Sequence, residues 1–229
     1  MAAPRASARS AAPAAGAGTP FDALRLPSPE VLMARARDPR QARLRTLLER
    51  LAGNPPQVLL LEGGDAVSRL AMGLWWTAWH QCTGPEPAPG PAPSAGSLPG
   101  LLPGLLQDRQ HPPPQQRTAP AERPCLACAS CRQVFTGVHH SLHLLDGASD
   151  LIRIDDVREV MQKLSEKPRQ GQLRCILLNE AHNCKAETAN TLLKSLEDPR
   201  PGNCFLLLAP QRERLLPTLV SRSFTLSLA

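Results

Sequence analysis

The sequence is short of aromatic residues and contains no long apolar run. Its 229 residues include four Phe, three Trp and no Tyr, although 42% of them are hydrophobic. A core built from this sequence must therefore be mainly aliphatic. Because no run reaches the ~18 apolar residues that span a bilayer, we expect no membrane partner. The first 20 residues also lack the apolar segment of a secretion signal, which predicts a cytoplasmic protein.

Lysine is scarce and proline is abundant. Of the 26 basic residues 22 are Arg, and the formal net charge of +6 permits nucleic-acid or acidic partners without identifying either. Twelve of the 25 Pro residues lie within residues 83–124. We predict a flexible Pro-rich insertion at 83–124 and a disordered Ala/Pro/Arg tail at 1–20. The tail cannot bury enough apolar surface to offset its ordering entropy.

The remaining sequence alternates short apolar runs with amphipathic patterns. The apolar runs cover residues 58–61, 142–145, 175–178, 204–208 and 224–228. Helical spacing of apolar residues lies before or between them, at 21–51, 67–81, 157–164 and 189–196. We therefore predict an α/β fold, with a parallel sheet covered by helices on both faces. Asp155 or Asp156 is expected to cap the helix that follows the second run.

The first apolar run leads into Gly63 and Gly64, where a phosphate-binding loop would lie. Such a loop needs Gly, four residues, and then Gly-Lys-Ser/Thr, because N–H groups and Lys hold the phosphates while the hydroxyl binds Mg²⁺. Counted from Gly63, the last three positions hold Ser68, Arg69 and Leu70. Leu70 cannot bind a metal ion. The loop is therefore predicted to be degenerate, and we expect no ATP hydrolysis.

A second departure follows the third apolar run. The position where nucleotide hydrolases place a Mg²⁺-binding Asp holds Asn179, followed by Glu180. A neutral amide is a weaker ligand for this hard cation than a carboxylate. These residues alone leave two alternatives open. In the first, the glycine turn and the end of the third apolar run have never been a nucleotide site. In the second, the chain is an ATPase with an atypical loop that uses Arg69 and Glu180.

Three cysteines lie within seven residues, at Cys125, Cys128 and Cys131. In a cytoplasmic protein such thiols are expected to be reduced or to bind metal. The spacing suits one ion, and a closed structural zinc site requires a fourth ligand. The histidines that could supply it are His139, His140 and His143. An iron–sulfur cluster and three unliganded thiols are the other interpretations.

A run of five arginines near the start of the globular part gives a further alternative. These residues are Arg35, Arg37, Arg40, Arg43 and Arg45. With the cysteines, they are compatible with a zinc-containing nucleic-acid-binding module. A solvated helix surface explains the same run.

The C-terminal third carries the most specific pattern. Residues 189–199 read ANTLLKSLEDP, which resembles the NALLKxLEEP signature of clamp-loader AAA+ subunits. Residues 221–223 resemble the SRC motif of the same proteins. Combined with the degenerate loop and the Cys-rich insert, these motifs resemble the delta-prime family of bacterial DNA polymerase III clamp-loader subunits. Asp198 and Ser223 depart from the family pattern, which has Glu and Cys there.

The resemblance implies an AAA+ (RecA-like) domain over residues 21–229, interrupted by the 83–124 insertion. It implies that Cys82 is the fourth ligand of a structural zinc ion, in a module formed by residue 82 and residues 125–131. The lid and collar domains of the family are expected to be absent, because the sequence stops where the first domain of the family ends.

The resemblance also implies a role. The chain is expected to be a non-hydrolysing bacterial clamp-loader subunit that acts in DNA replication. Arg222 is expected to be an arginine finger, acting in trans on ATP bound by a neighbouring ATPase subunit. The implied partners are the ATPase and delta-type subunits of a hetero-oligomer, the sliding clamp, and primed DNA contacted through the complex.

Overall fold

The computed structural model describes residues 26–84, 123–164, 173–197 and 200–229. The predicted tail at 1–20 lies outside the described residues. Of the predicted 83–124 insertion, only its ends, residues 83–84 and 123–124, are described. Among the helices in these ranges, none combines the length and apolarity needed to cross a bilayer.

The described residues form a five-stranded parallel sheet with helices, which confirms the predicted α/β class. The strands are β1 (Val58–Gly63), β2 (Leu142–Asp146), β3 (Arg174–Asn179), β4 (Asn203–Ala209) and β5 (Phe224–Leu228). The helices are α1 (Pro29–Ala36), α2 (Ala42–Leu51), α3 (Ala66–Gln81), α4 (Ala129–Phe135), α5 (Ile154–Lys163), α6 (Ala186–Glu197) and α7 (Pro217–Val220). The strand order is β2-β3-β4-β1-β5. Because every neighbouring pair is parallel, the carboxyl ends of all five strands lie at one edge of the sheet.

Two local predictions are wrong. The helical pattern at 21–51 is divided, because Asp38 caps a short 3₁₀ turn (Pro39–Gln41) between α1 and α2. Its carboxylate accepts a hydrogen bond from the backbone N–H of Arg40 at 2.9 Å. Helix α5 begins two residues earlier than a cap at Asp155 requires, and its N-cap is Arg153. Asp155 and Asp156 lie in its first turn, where their charges still favour the positive end of the helix dipole.

Alternate strand residues contribute to two separate cores. Leu59 and Leu61 of β1 pack in a core with residues of α1 to α4. Val58 and Leu60 pack in a second core with residues of α5 to α7. The two-residue period of a strand sends neighbouring side chains to opposite faces, so both faces need a helical layer. This confirms the prediction that helices cover both faces of the sheet.

Helix α3 is apolar around most of its circumference, and 12 of its 16 residues are buried. Trp75 and Trp76 lie inside the core and Trp79 packs against it, as expected for packing residues. A Cβ atom at Gly73 would lie 2.9 Å from Leu177 Cδ1, so glycine lets the helix approach the sheet closely. This packing fixes the N-terminus of α3 beside the end of β1.

Candidate functional site

The connection between β1 and α3 is a tight glycine turn at the carboxyl edge of the sheet. Gly63 and Gly64 have φ values of 81° and 54°, in the left-handed region that glycine adopts without strain. A Cβ atom at Gly63 would lie 3.1 Å from the carbonyl oxygen of Leu228. The backbone N–H of Gly63 donates to the carbonyl of Pro210 at 3.0 Å. The turn is therefore held between the ends of β4 and β5.

A carboxylate occupies the N-terminus of α3. Asp65 is the N-cap, and it accepts hydrogen bonds from the backbone N–H of Ser68 at 2.9 Å and from the Ser68 hydroxyl at 2.7 Å. Burial raises the pKa of Asp65, but the Ser68 hydrogen bonds outweigh burial and leave that pKa below its usual value. In phosphate-binding loops the N–H groups at this helix end hold the anion. Here a side chain of the chain itself takes that position.

Arg69 lies beneath the glycine turn, and only 4% of its side chain is exposed. Its guanidinium donates to the carbonyl oxygens of Gly63 at 2.9 Å and Gly64 at 2.8 Å. It also donates to Glu180 Oε1 at 2.5 Å. The turn thus points two carbonyl oxygens, which are partly negative, at a cation. A phosphate-binding loop instead points N–H groups, which are partly positive, at an anion.

The segment after β3 supplies the carboxylate that neutralises Arg69. Glu180 is buried and has a φ of 48°, a left-handed conformation that is uncommon outside glycine. His182 Nδ1 lies 3.5 Å from the second Glu180 oxygen. Burial lowers the pKa of His182, and Arg214 and Arg69 lower it further against the opposing effect of Glu180. The lowered pKa favours the neutral imidazole, so the cation paired with Glu180 is Arg69.

Asn179 also pairs with a residue of this chain. Its Nδ2 donates to Asp146 Oδ1, at the end of β2, over 2.7 Å. An aspartate at position 179 would place two carboxylates side by side. The amide instead supplies the donor that Asp146 needs, which gives a structural reason for the neutral residue.

Sequence reasoning missed a second arginine–glutamate pair at this edge. Glu62, at the end of β1, accepts hydrogen bonds from Arg212 N at 3.0 Å, from Arg212 Nε at 3.1 Å and from Arg212 Nη2. The Ser227 hydroxyl donates to the same carboxylate at 3.2 Å. Burial opposes ionisation of Glu62, but these hydrogen bonds leave its pKa lowered. The signal in the sequence was a charged residue ending an otherwise apolar strand.

Arg222 lies apart from these buried pairs, on the surface after α7. Its Nη2 donates to Glu197 Oε1 at 2.7 Å, and its Nη1 donates to the carbonyl oxygen of Thr218 at 3.1 Å. The Arg222 side chain remains 36% exposed. In the chain by itself, Arg222 is therefore part of a surface ion pair.

The structure brings Cys82, Cys125, Cys128 and Cys131 together. Their four Sγ atoms all lie within 4.8 Å of one another. Cys82 follows α3 directly, so the helix packed on the sheet also carries one of the four thiols. The candidate histidines are placed differently. His139 accepts a hydrogen bond from Ser141 N and stacks on His140, while His143 lies in β2.

The polar surroundings of the cysteine cluster suit a thiolate-bound ion. Backbone N–H groups donate to three of the four sulfur atoms at 3.3 to 3.4 Å. Burial opposes ionisation, yet hydrogen bonds from Cys131 and Thr83 lower the pKa of Cys128 to about 6. Burial raises the pKa values of Cys82 and Cys131. Zinc–sulfur bonds of about 2.3 Å place tetrahedral sulfur atoms roughly 3.8 Å apart, a spacing that the cluster fits.

The other three cysteines do not belong to the cluster. Cys175 and Cys204 are fully buried at paired positions of β3 and β4, as expected for packing residues. Cys184 is partly buried, at an isolated bridge with Ile152. None of the seven cysteines, all of which lie in the described ranges, forms a disulfide.

Two arginines of the predicted basic face contact other parts of the chain. Arg45 donates to the carbonyl oxygens of Ala36 and Asp38, each at 2.8 Å, and so holds the turn between α1 and α2. Arg35 lies 3.8 Å from Asp65. The exposed members of the run that remain are Arg37, Arg40 and Arg43.

The parallel sheet, its strand order and the glycine turn before α3 define an AAA+ type α/β domain. A solved structure supports this class. The chain is similar to a DNA polymerase III gamma subunit-related protein from Thermotoga maritima, with a TM-score of 0.50 and 18% identity. The superposition covers 81% of this chain and 45% of the other.

A family model described as DNA polymerase III, delta subunit, matches residues 114–229, just over half of the sequence. The chain belongs to this family. It is 36% identical over 100 residues to DNA polymerase III subunit delta' of Pseudomonas aeruginosa, and 30% identical over 103 residues to the Bacillus subtilis subunit of the same name. These matches cover 43% and 45% of this chain, and 30% and 31% of the relatives. The matched part is thus about a third of each relative.

Arg69→Ala is expected to lower the free energy of unfolding by about 3 to 5 kcal/mol, because Glu180 would stay buried without its cation. The double variant Arg69→Ala/Glu180→Gln should recover at least half of that loss. Urea unfolding measures both, with exposed Arg37→Ala as the control, expected to change stability by no more than about 0.5 kcal/mol. A loss below about 1 kcal/mol for Arg69→Ala would contradict the assignment of a buried pair.

Proposed function

We propose that the chain is a clamp-loader subunit of bacterial DNA polymerase III that does not hydrolyse ATP itself. The observation that carries the proposal is the internal pairing of Arg69 with Glu180 under the glycine turn. Family membership supports the clamp-loader part, and the paired charges support the absence of hydrolysis. In this role the chain acts in the bacterial cytoplasm, in a hetero-oligomer with ATPase and delta-type subunits that places a sliding clamp on primed DNA.

The case against hydrolysis rests on charge. A triphosphate site needs N–H donors at a helix end, a free cation and a metal-binding carboxylate. Asp65 occupies the helix end, Glu180 neutralises the cation, and Asn179 stands where the carboxylate is required. A nucleotide would have to displace two carboxylates, the buried one of Glu180 and the exposed one of Asp65, and both would then lie beside its own negative charge. An ATPase that used Arg69 and Glu180 would need both of these side chains to be free, but they are paired with each other.

The proposed contribution of the chain is made in trans. Arg222 is partly exposed and lies in the Ser-Arg-Ser segment. Because the chain is proposed to hydrolyse no ATP of its own, this charge would act on ATP bound by a neighbouring subunit. At an interface with an ATPase subunit, it would stabilise the charge that develops as the γ-phosphate of that subunit leaves. An arginine is suited to this task because it stays charged and offers five N–H donors.

The proposed metal is structural zinc, held by Cys82, Cys125, Cys128 and Cys131. Cys82 and Cys125 flank the Pro-rich insertion, so a shared ion would hold the two ends of that segment together. Zinc would thereby join α4 and the residues before it to the end of α3. A closed set of four thiolates leaves no open position for a substrate, so the ion is assigned to folding and not to catalysis.

The isolated chain is expected to show no binding of ATP with Mg²⁺ at millimolar concentration and no Mg²⁺-dependent ATPase above buffer. Calorimetric titration and a phosphate-release assay measure these two properties, with an ATPase subunit of the loader as the positive control. Saturable binding together with turnover would favour the atypical ATPase.

Metal analysis of the purified chain is expected to give close to one zinc per chain. Cys82→Ser should lose most of this zinc and lower the melting temperature, because three thiolates no longer close the site. Cys184→Ser, outside the cluster, should keep its zinc. Stoichiometric iron would favour the iron interpretation, and neither metal at a near-stoichiometric level would refute the site.

Arg222→Ala is expected to lower ATP turnover at the site facing this subunit by about 10³-fold, the lower end for known arginine fingers. The measurement is single-turnover hydrolysis in the reconstituted loader complex. Stability should change by no more than about 1 kcal/mol, because the Glu197 ion pair is exposed. Arg132→Ala, on α4 at the opposite face of the sheet, serves as the control. Unchanged turnover with Arg222→Ala would remove the finger assignment.

A further inference from the structure

We infer that Glu197 is a positioning residue for Arg222, an inference that rests on the proposed function. Glu197 is the last residue of α6, and its Oε1 accepts a hydrogen bond from Arg222 Nη2 at 2.7 Å. The two residues are 25 positions apart and belong to different motifs of the sequence. The fold therefore joins the LLKSLEDP segment to the Ser-Arg-Ser segment through this charged contact.

A second contact holds the other terminal nitrogen of the same guanidinium. Arg222 Nη1 donates to the carbonyl oxygen of Thr218 in α7 at 3.1 Å and to the Ser221 hydroxyl at 3.4 Å. Both supporting helices are anchored in the core, through Leu196 next to Glu197 and through Leu219 next to the turn that carries Arg222. The guanidinium is thus fixed by two elements whose own positions are set by packing.

These contacts leave part of the arginine available. A guanidinium has five N–H donors, and the recorded bonds involve Nη1 and Nη2. The Nε–H and one Nη2–H have no acceptor among the described residues and can donate to one outside the chain. Arg222 can therefore stay bonded to Glu197 while it donates to a phosphate oxygen of a neighbouring subunit.

Glu197 has two opposing effects on such a finger. Its negative charge offsets the charge of the guanidinium, and its hydrogen bond restricts the rotamers of a long flexible side chain. Both side chains are well exposed, at 36% and 54%, so water screens the first effect strongly. Placement of a group that stabilises a transition state is sensitive to shifts of about 1 Å. Positioning therefore outweighs charge compensation.

The test is the turnover number of the reconstituted loader complex, at a saturating concentration of the full chain. Glu197→Ala is expected to lower turnover about fivefold, in line with the strength of an exposed ion pair. Glu197→Gln keeps a carbonyl oxygen as acceptor and should stay within about twofold of the unsubstituted chain, since most of the hydrogen bond is retained. The KM for ATP should not change. Glu187→Ala, in the first turn of the same helix, is the control and should leave turnover unchanged.

A double-mutant cycle separates this inference from the proposed function. With Arg222→Ala already present, Glu197→Ala should cause no further loss, because its effect passes through the arginine. The inference is overturned if Glu197→Ala raises turnover or has no effect, if Glu197→Gln is as poor as Glu197→Ala, or if the loss persists without Arg222. If Arg222→Ala itself changes nothing, the proposed function fails. A loss with Arg222→Ala but none with Glu197→Ala leaves that function standing and removes only the positioning role.

Discussion

The buried pair between Arg69 and Glu180 is the interaction on which the site depends. It joins the turn after β1 to the turn after β3, across the intervening strand β4. An ion pair is costly to bury unless further hydrogen bonds satisfy its members. Here the carbonyl oxygens of Gly63 and Gly64 accept hydrogen bonds from Arg69 Nη1, while Arg69 Nε is buried without a partner among the described residues. The glycine turn, the close approach of β5 and the unusual backbone of Glu180 are all consistent with a site arranged around a resident guanidinium.

The same edge of the sheet satisfies its other charges internally. Glu62 bonds Arg212, Asp65 caps α3, and Asn179 bonds Asp146. In a nucleotide hydrolase, charges at this edge are left available for phosphate and metal. Here they join strand ends to one another, so the edge contributes to stability where a related ATPase would carry out chemistry. Arg222 lies outside this network and is partly exposed, and we propose that it acts on another subunit.

The cysteine cluster serves the fold in a different way. It lies at the far end of α3 from the glycine turn, so one buried helix begins beside that turn and ends next to Cys82, one of the four clustered thiols. The three remaining thiols belong to the segment leading into and forming α4. A metal ion there would fix α4 to α3 even though a long Pro-rich segment separates them in the sequence.

The sequence by itself determined the order of the five strands and of helices α3, α5 and α6, because unbroken apolar runs and helical spacing are local properties of the chain; the short helices α4 and α7 were not predicted. It also predicts that Ser68, Arg69 and Leu70 do not form a working phosphate loop, because Leu70 has no group that binds a metal ion, and this stays a prediction. Spacing alone grouped Cys125, Cys128 and Cys131, while Cys82 required a resemblance, since 42 residues separate it from Cys125. Only the tertiary structure decided which charges meet. The pairs Arg69–Glu180, Glu62–Arg212 and Arg222–Glu197 join residues 111, 150 and 25 positions apart. Such pairing depends on which strands become neighbours, and no local pattern encodes it.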